Sequence, residues 1–246
     1  MKLSKKIVKK LVVITIFFTL VGCSNNIDLD KIIEQVIKDT YSEEISTTNN
    51  LNKSFYSLYY GREVGRVDSN LISNVFSYNS RNFILVVNVN NIIKDRYYPD
   101  SLSNVLEADN ATAYNEISTY SGQYVDCGNE IVDYLVEVAK LGTNEYYLKV
   151  STSYLTLASI LNVNEIEVVL KKMLNIARTT EIYYDEVVNY FANVEAIADQ
   201  NAYTEEIFEE YFPTEGYLGD LIKKDDETFE FGDSSDDTTE EVVGNE

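Results

Sequence analysis

IVDYLVEVAKLGTNEYYLKVST, residues 131–152, is the stretch on which the fold turns. Val132, Tyr134, Val136 and Val138 recur every second residue, the period of a strand with one buried face. Ile131, Tyr134, Leu135 and Val138 would equally line one side of a helix. The segment Leu141-Gly142-Thr143-Asn144 weighs against the helix, because it carries turn residues, and a strand-like pattern resumes from Tyr146 to Ser151. Two short runs joined by such a turn predict an antiparallel hairpin over 131–152, and hence a sheet in the middle of the chain.

Upstream, Phe83 to Val89 is apolar on both alternating faces, as a central strand is, and Ile117 to Val125 forms another strand, rich in Ser, Thr and Tyr. Phe55 to Tyr60 is an aromatic-rich candidate strand, followed by Gly61 and Gly65 as punctuation. Residues 42–54 form a polar connector, Asn90 to Pro99 leads out of the central strand, and Ser101 to Asn110 reads as a short helix. Near the start, Asp28 can cap a helix carrying Leu29, Ile32, Ile33, Val36 and Ile37 on one face. The opposite face has both signs of charge, so this helix is expected to dock on the domain rather than lie in lipid.

Downstream the period becomes helical. Tyr154, Leu157, Ala158 and Leu161 share a face. Asn164 with Glu167 resembles a capping box for Ile166, Val169, Leu170, Met173, Leu174 and Ala177. Tyr184, Val187, Val188, Phe191 and Ala198 follow, and then Thr204 caps Ile207, Phe208, Tyr211 and Phe212 before Pro213. Residues 225–246 contain ten acidic residues and no basic one, a composition that predicts disorder. The class is therefore α+β: an antiparallel sheet in the middle of the chain, a helical C-terminal half and an acidic tail.

The N-terminus has a different character. Lys2, Lys5, Lys6, Lys9 and Lys10 precede the apolar run Leu11 to Leu20, which has the length of a signal-peptide core and is short for a membrane span. It closes on Leu20-Val21-Gly22-Cys23. These four residues resemble the lipobox of bacterial lipoproteins. The resemblance covers residues 1–23 and implies that Cys23 receives a diacylglyceryl group and becomes the new N-terminus after cleavage. Together with the patterns above, the expected organisation is a signal peptide, 1–22; a lipidated N-terminus with amphipathic helix and linker, 23–50; a single α+β domain, 51–224; and the tail, 225–246.

Composition narrows the function. Residues 1–22 hold five of the 20 Lys and Arg and none of the 41 Asp and Glu, leaving 15 cations against 41 acids, a net charge of −26. Nucleic acid is disfavoured as a partner, since its phosphates call for Lys and Arg. The chain has no His, which excludes Ser-His-Asp and Cys-His catalysis and His-ligated zinc or iron. With Cys23 acylated, Cys127 is the remaining thiol, placed in a turn among acidic residues that disfavour its thiolate. Asp233 to Asp237 lacks the spacing of a calcium loop. Arg62 and Arg66, flanked by Gly61 and Gly65, could hold an anion or pair with Glu63 and Asp68.

No catalytic, cofactor-binding or metal-binding residue is assigned. The expected protein is a non-catalytic lipoprotein anchored at the extracytoplasmic face of the cell membrane, acting through contacts with an unknown protein partner. The alternatives are a ligand-binding lipoprotein of a transport or sensing system, and a carboxylate-based hydrolase. A concave pocket with converging polar groups would favour the former, and two carboxyls facing each other across a cleft the latter.

Overall fold

A computed structural model describes residues 28–46, 48–97 and 117–191. The lipobox with Cys23, the segment Ser101 to Asn110, Ala198, the Thr204 to Pro213 segment and the tail 225–246 lie outside the described residues.

The sheet expected from the middle of the chain is present and antiparallel throughout. It has seven strands in the order β3-β4-β5-β9-β8-β7-β6. These are β3 (Gly65–Ser69), β4 (Ser73–Tyr78), β5 (Arg81–Val87), β6 (Ile117–Val125), β7 (Ile131–Lys140), β8 (Glu145–Ser151) and β9 (Leu155–Asn162). A three-stranded sheet joins β1 (Leu51–Asn52), β2 (Tyr56–Leu58) and β10 (Glu181–Ile182). Four helices complete the described chain: α1 (Leu29–Ser42), α2 (Val89–Tyr97), α3 (Val163–Thr179) and α4 (Tyr184–Phe191).

The 131–152 hairpin forms as its alternation requires, with Val136 opposite Val150 and Val138 opposite Leu148. These four residues face the main core with Phe83, Leu85, Leu157 and Leu161. The reverse face carries a smaller cluster of Val75, Ile84, Ala139, Tyr147 and Ala158. Across it Lys149 Nζ meets Glu137 at 3.3 Å, both side chains nearly buried. The central strand sits three places in from the β3 edge, with Phe83, Ile84 and Leu85 all buried.

Helix α3 lies over β8 and β9 and buries Ile166, Val169, Leu170, Met173 and Leu174, the stripe its sequence displays. Helix α1 packs against α3, burying Ile33, Val36 and Ile37. The docking expected for this helix is thus observed. Asp28 caps it, its side chain accepting from Lys31 N at 3.3 Å.

Several details differ from the sequence reading. Leu157, Ala158 and Leu161 belong to strand β9 and not to a helix, and Tyr154 lies in the bend just before it. Leu155, Leu157 and Leu161 face α3, while Ala158 lies on the reverse face, so a strand buried on both sides shows no clean alternation and imitates a helical stripe. The capping box moves two residues earlier for the same reason. Asn162 ends β9, and its N–H donates to Glu165 Oε2 at 2.9 Å. Asn164 and Glu167 fall inside the helix. Burial works against the charge on Glu165, but hydrogen bonds from Arg81 and from the Asn162 N–H outweigh it and hold the carboxyl below its ordinary pKa.

Residues 65–78 form a hairpin that their polar composition conceals. Asn74 is fully buried, with its amide donating to the Tyr56 hydroxyl. A two-residue turn at Asn79 and Ser80, both at positive φ, joins β4 to β5, as tight hairpins require. Strand β5 runs two residues earlier than the apolar run, because Val89 begins α2.

Candidate functional site

The last turn of α1, the loop after β2 and the last turns of α3 enclose a cavity of about 300 Å³. Its lining is mostly polar. Glu43, Glu44 and Ser46 come from the end of α1 and the chain beyond it, and Tyr59, Gly61 and Glu63 from the loop. Lys171, Lys172, Asn175, Arg178 and Thr179 come from α3. Three Glu therefore face three cations.

Two of those cations are paired within the wall. Lys171 Nζ lies 2.5 Å from Glu43 Oε1, and Lys172 pairs with Glu63. The Lys172 ammonium also sits 5.2 Å from the centre of the Tyr78 ring. The hydrogen bond from Lys172 holds Glu63 below its ordinary pKa. Glu63 is therefore ionised at neutral pH and unsuited to act as a general acid, which needs a raised value.

Arg178 is the unusual member. It is 3% exposed, and among the described residues its bonds go to main-chain carbonyls rather than to a carboxylate. Nη1 donates to the Thr40 carbonyl, and Nη2 donates to the Glu43 carbonyl at 3.0 Å. Both oxygens belong to the C-terminal end of α1, where helix carbonyls lack intrahelical donors. Arg178 also stands in the last turn of its own helix. The negative ends of two helix dipoles thus meet at one guanidinium, about half a charge from each. This arrangement supplies the counter-charge that a carboxylate would otherwise provide. The guanidinium lies 5.6 Å from the Tyr41 ring centre, and Tyr41 stacks on Tyr124 at 5.1 Å and packs on Tyr134 at 4.9 Å. Burial lowers the Arg178 pKa from its ordinary value of 12.5.

The end of α3 is also tied to the chain just after β2 and to the β6–β7 turn. Thr179 Oγ1 accepts the Tyr59 N–H at 3.2 Å, and the Cys127 N–H donates to the Arg178 carbonyl at 3.0 Å. Cys127 occupies the turn expected for it, where Asp126 Oδ1 accepts N–H groups from Gly128 and Glu130 at 2.8 Å each. Burial, with Asp126 and Glu181 nearby, raises its thiol pKa. A resting thiol, rather than a thiolate, is the result.

Of the 61–68 motif, Gly61, Glu63 and Val64 line the cavity, while Arg62 and Arg66 are exposed and do not. Gly65 to Asp68 is strand, not loop. The sequence reading missed Arg178, Lys171, Lys172 and Glu43. One signal was available: Arg178 continues the Leu170, Leu174 spacing, so a cation stood on the apolar stripe. Among the described residues, no group of three or more His, Cys, Asp or Glu is placed to hold a metal. No helix among them is long and apolar enough to cross a membrane. No family model matches the chain, and no curated protein matches it.

Replacing Arg178 with Ala would take the guanidinium donors from the Thr40 and Glu43 carbonyls, leaving Thr40 only the Glu43 N–H at 3.3 Å, and remove the cation between the helix ends. A loss of about 3 kcal/mol in urea unfolding is expected, with a smaller loss for Arg178→Lys, which keeps charge but not the two-pronged geometry. A change within about 0.5 kcal/mol for Arg178→Ala would show that the helix ends do not depend on it.

Proposed function

We propose that this protein is a bacterial lipoprotein, held at the extracytoplasmic face of the cell membrane by acylated Cys23 and acting through protein contacts. The observation that carries the reading is the tetrad Leu20-Val21-Gly22-Cys23, followed after five residues by Asp28, the cap of a docked helix. Five residues reach at most about 17 Å. The folded body would then stand directly on the bilayer rather than on a long stalk. Two acyl chains hold such a body firmly, whereas one would bind reversibly. A net charge of −26 beyond residue 22 is repelled by anionic lipid, which favours outward-facing contacts.

Replacing Cys23 with Ala should move the protein from the membrane fraction to the soluble fraction, or leave it unprocessed with its leader attached. Membrane retention together with normal cleavage would contradict acylation. Protein contact surfaces are untouched by this change, so the test addresses the anchor alone.

The cavity favours a second reading, a ligand-binding lipoprotein. Its charges balance, three Glu against Lys171, Lys172 and Arg178, so a small zwitterion suits it better than a simple anion. An anion would have to displace Glu43 or Glu63 from its lysine. Under this reading millimolar free amino acids or dipeptides should raise the melting temperature of the protein, and Lys172→Met should abolish the rise. No shift across such a set would leave the cavity as a structural joint.

A further inference from the structure

The two edges of the large sheet are unlike. Strand β3 is short and mostly exposed, carries Arg66 and Asp68, and is broken by a register shift between them. Charge, brevity and bulges are the usual protections of a free edge. Strand β6 has none of these. It runs nine residues, Ile117–Val125, pairs with β7 without a register shift, and contains no charged residue and no proline. In a chain with 41 acids and 20 cations, nine uncharged residues along an outer strand form an exception.

The direction of its backbone groups follows from the flanking turn. The Asp126 N–H donates to Glu130 across the β6–β7 connection, whereas the next N–H, that of Cys127, turns the other way to Arg178. Backbone groups alternate sides along a strand. Even-numbered residues of β6 therefore bond to β7, and Ile117, Thr119, Ser121, Gln123 and Val125 direct their N–H and C=O outward. Among the described residues, no strand pairs with that side.

We infer that β6 is a dimerisation edge, which pairs antiparallel with β6 of a second copy of this chain about a two-fold axis at Ser121. The sequence ISTYSGQYV is self-complementary in that register. Ile117 falls opposite Val125, Thr119 opposite Gln123, and Ser121 opposite itself, so every outward residue meets an outward residue. About ten main-chain hydrogen bonds would form. Val125 is 49% exposed and its cross-strand neighbour Ile131 is 70% exposed; Ile117 of the second copy would cover this apolar corner. Tyr120 stands opposite Gly122 of the second copy, where it would meet the Tyr134 ring that lies over that glycine. Strand β6 itself brings no charge to the seam between two acidic bodies, while Asp30 of α1 accepts the Tyr120 hydroxyl beside it. This inference concerns the folded body and stands apart from the acylation of Cys23.

Single cysteines at β6 test the register in the native host, in a Cys127→Ser background. In an H-bonded antiparallel pair the Cα atoms lie about 5.5 Å apart, so Ser121→Cys should give a disulfide-linked dimer under mild oxidant. Thr119→Cys should not, because its two copies would be about 14 Å apart, beyond disulfide reach. Crosslinking at both positions alike, or at neither, overturns the inference. Light scattering of the purified full chain in detergent gives an independent readout: a dimer is expected, and a monomer for Ser121→Pro, whose lost N–H faces outward and leaves the β7 ladder intact. A monomeric unsubstituted protein also overturns it.

Discussion

Two helix ends meet at the Arg178 guanidinium, and the arrangement of the described chain depends on that meeting. Helix α1 has an apolar stripe of Ile33, Val36 and Ile37 and would be marginal alone at 14 residues. It gains its place by lying on α3, which in turn covers β8 and β9. Burying the stripe takes the end of α1 at Thr40 out of water, where an unpaired carbonyl costs free energy. Arg178 supplies donors to Thr40 and Glu43 and a positive charge to both dipoles. Lys171 and Lys172 then neutralise Glu43 and Glu63 around the same joint. A chain with twice as many acids as cations has placed three of its cations within one span of eight residues, 171–178.

That joint also sets the geometry of the N-terminus. The first described residue, Asp28, caps a helix that is part of the core. Whatever holds residue 23 would therefore hold the whole body through a short connection and one rigid helix. For an anchored protein, such a connection restricts which face looks outward. The cavity lies at the far end of the same helix, beside Glu43 and Ser46, about 21 Å along its axis from Asp28.

The physical strength of each pattern determined how much of this was legible in the residues. Where one face of an element is buried and the other wet, period and structure agreed: α1, β6 and the Ile166 to Ala177 stripe. Where both faces are buried, the pattern lost its period. Strand β9, with Leu157 facing α3 and Ala158 facing the reverse cluster, imitated a helix and displaced the cap of α3 by two residues. Where the core accepts a polar side chain, composition misled: Asn74, bonded to Tyr56, hid the β3–β4 hairpin among serines and asparagines. The joint at Arg178 was hardest, since its partners are main-chain carbonyls 135 and 138 residues away. Sequence spacing carries no trace of such pairings.

The central claim is that α1 belongs to the core, fastened at its end by Arg178. Native-state hydrogen exchange on the full chain tests it most directly. The account predicts that the amides of Ile33 to Thr40 exchange as slowly as those of Leu170 to Ala177, and that both become fast together in Arg178→Ala. Rapid exchange across α1, beside continued protection of α3, would contradict it.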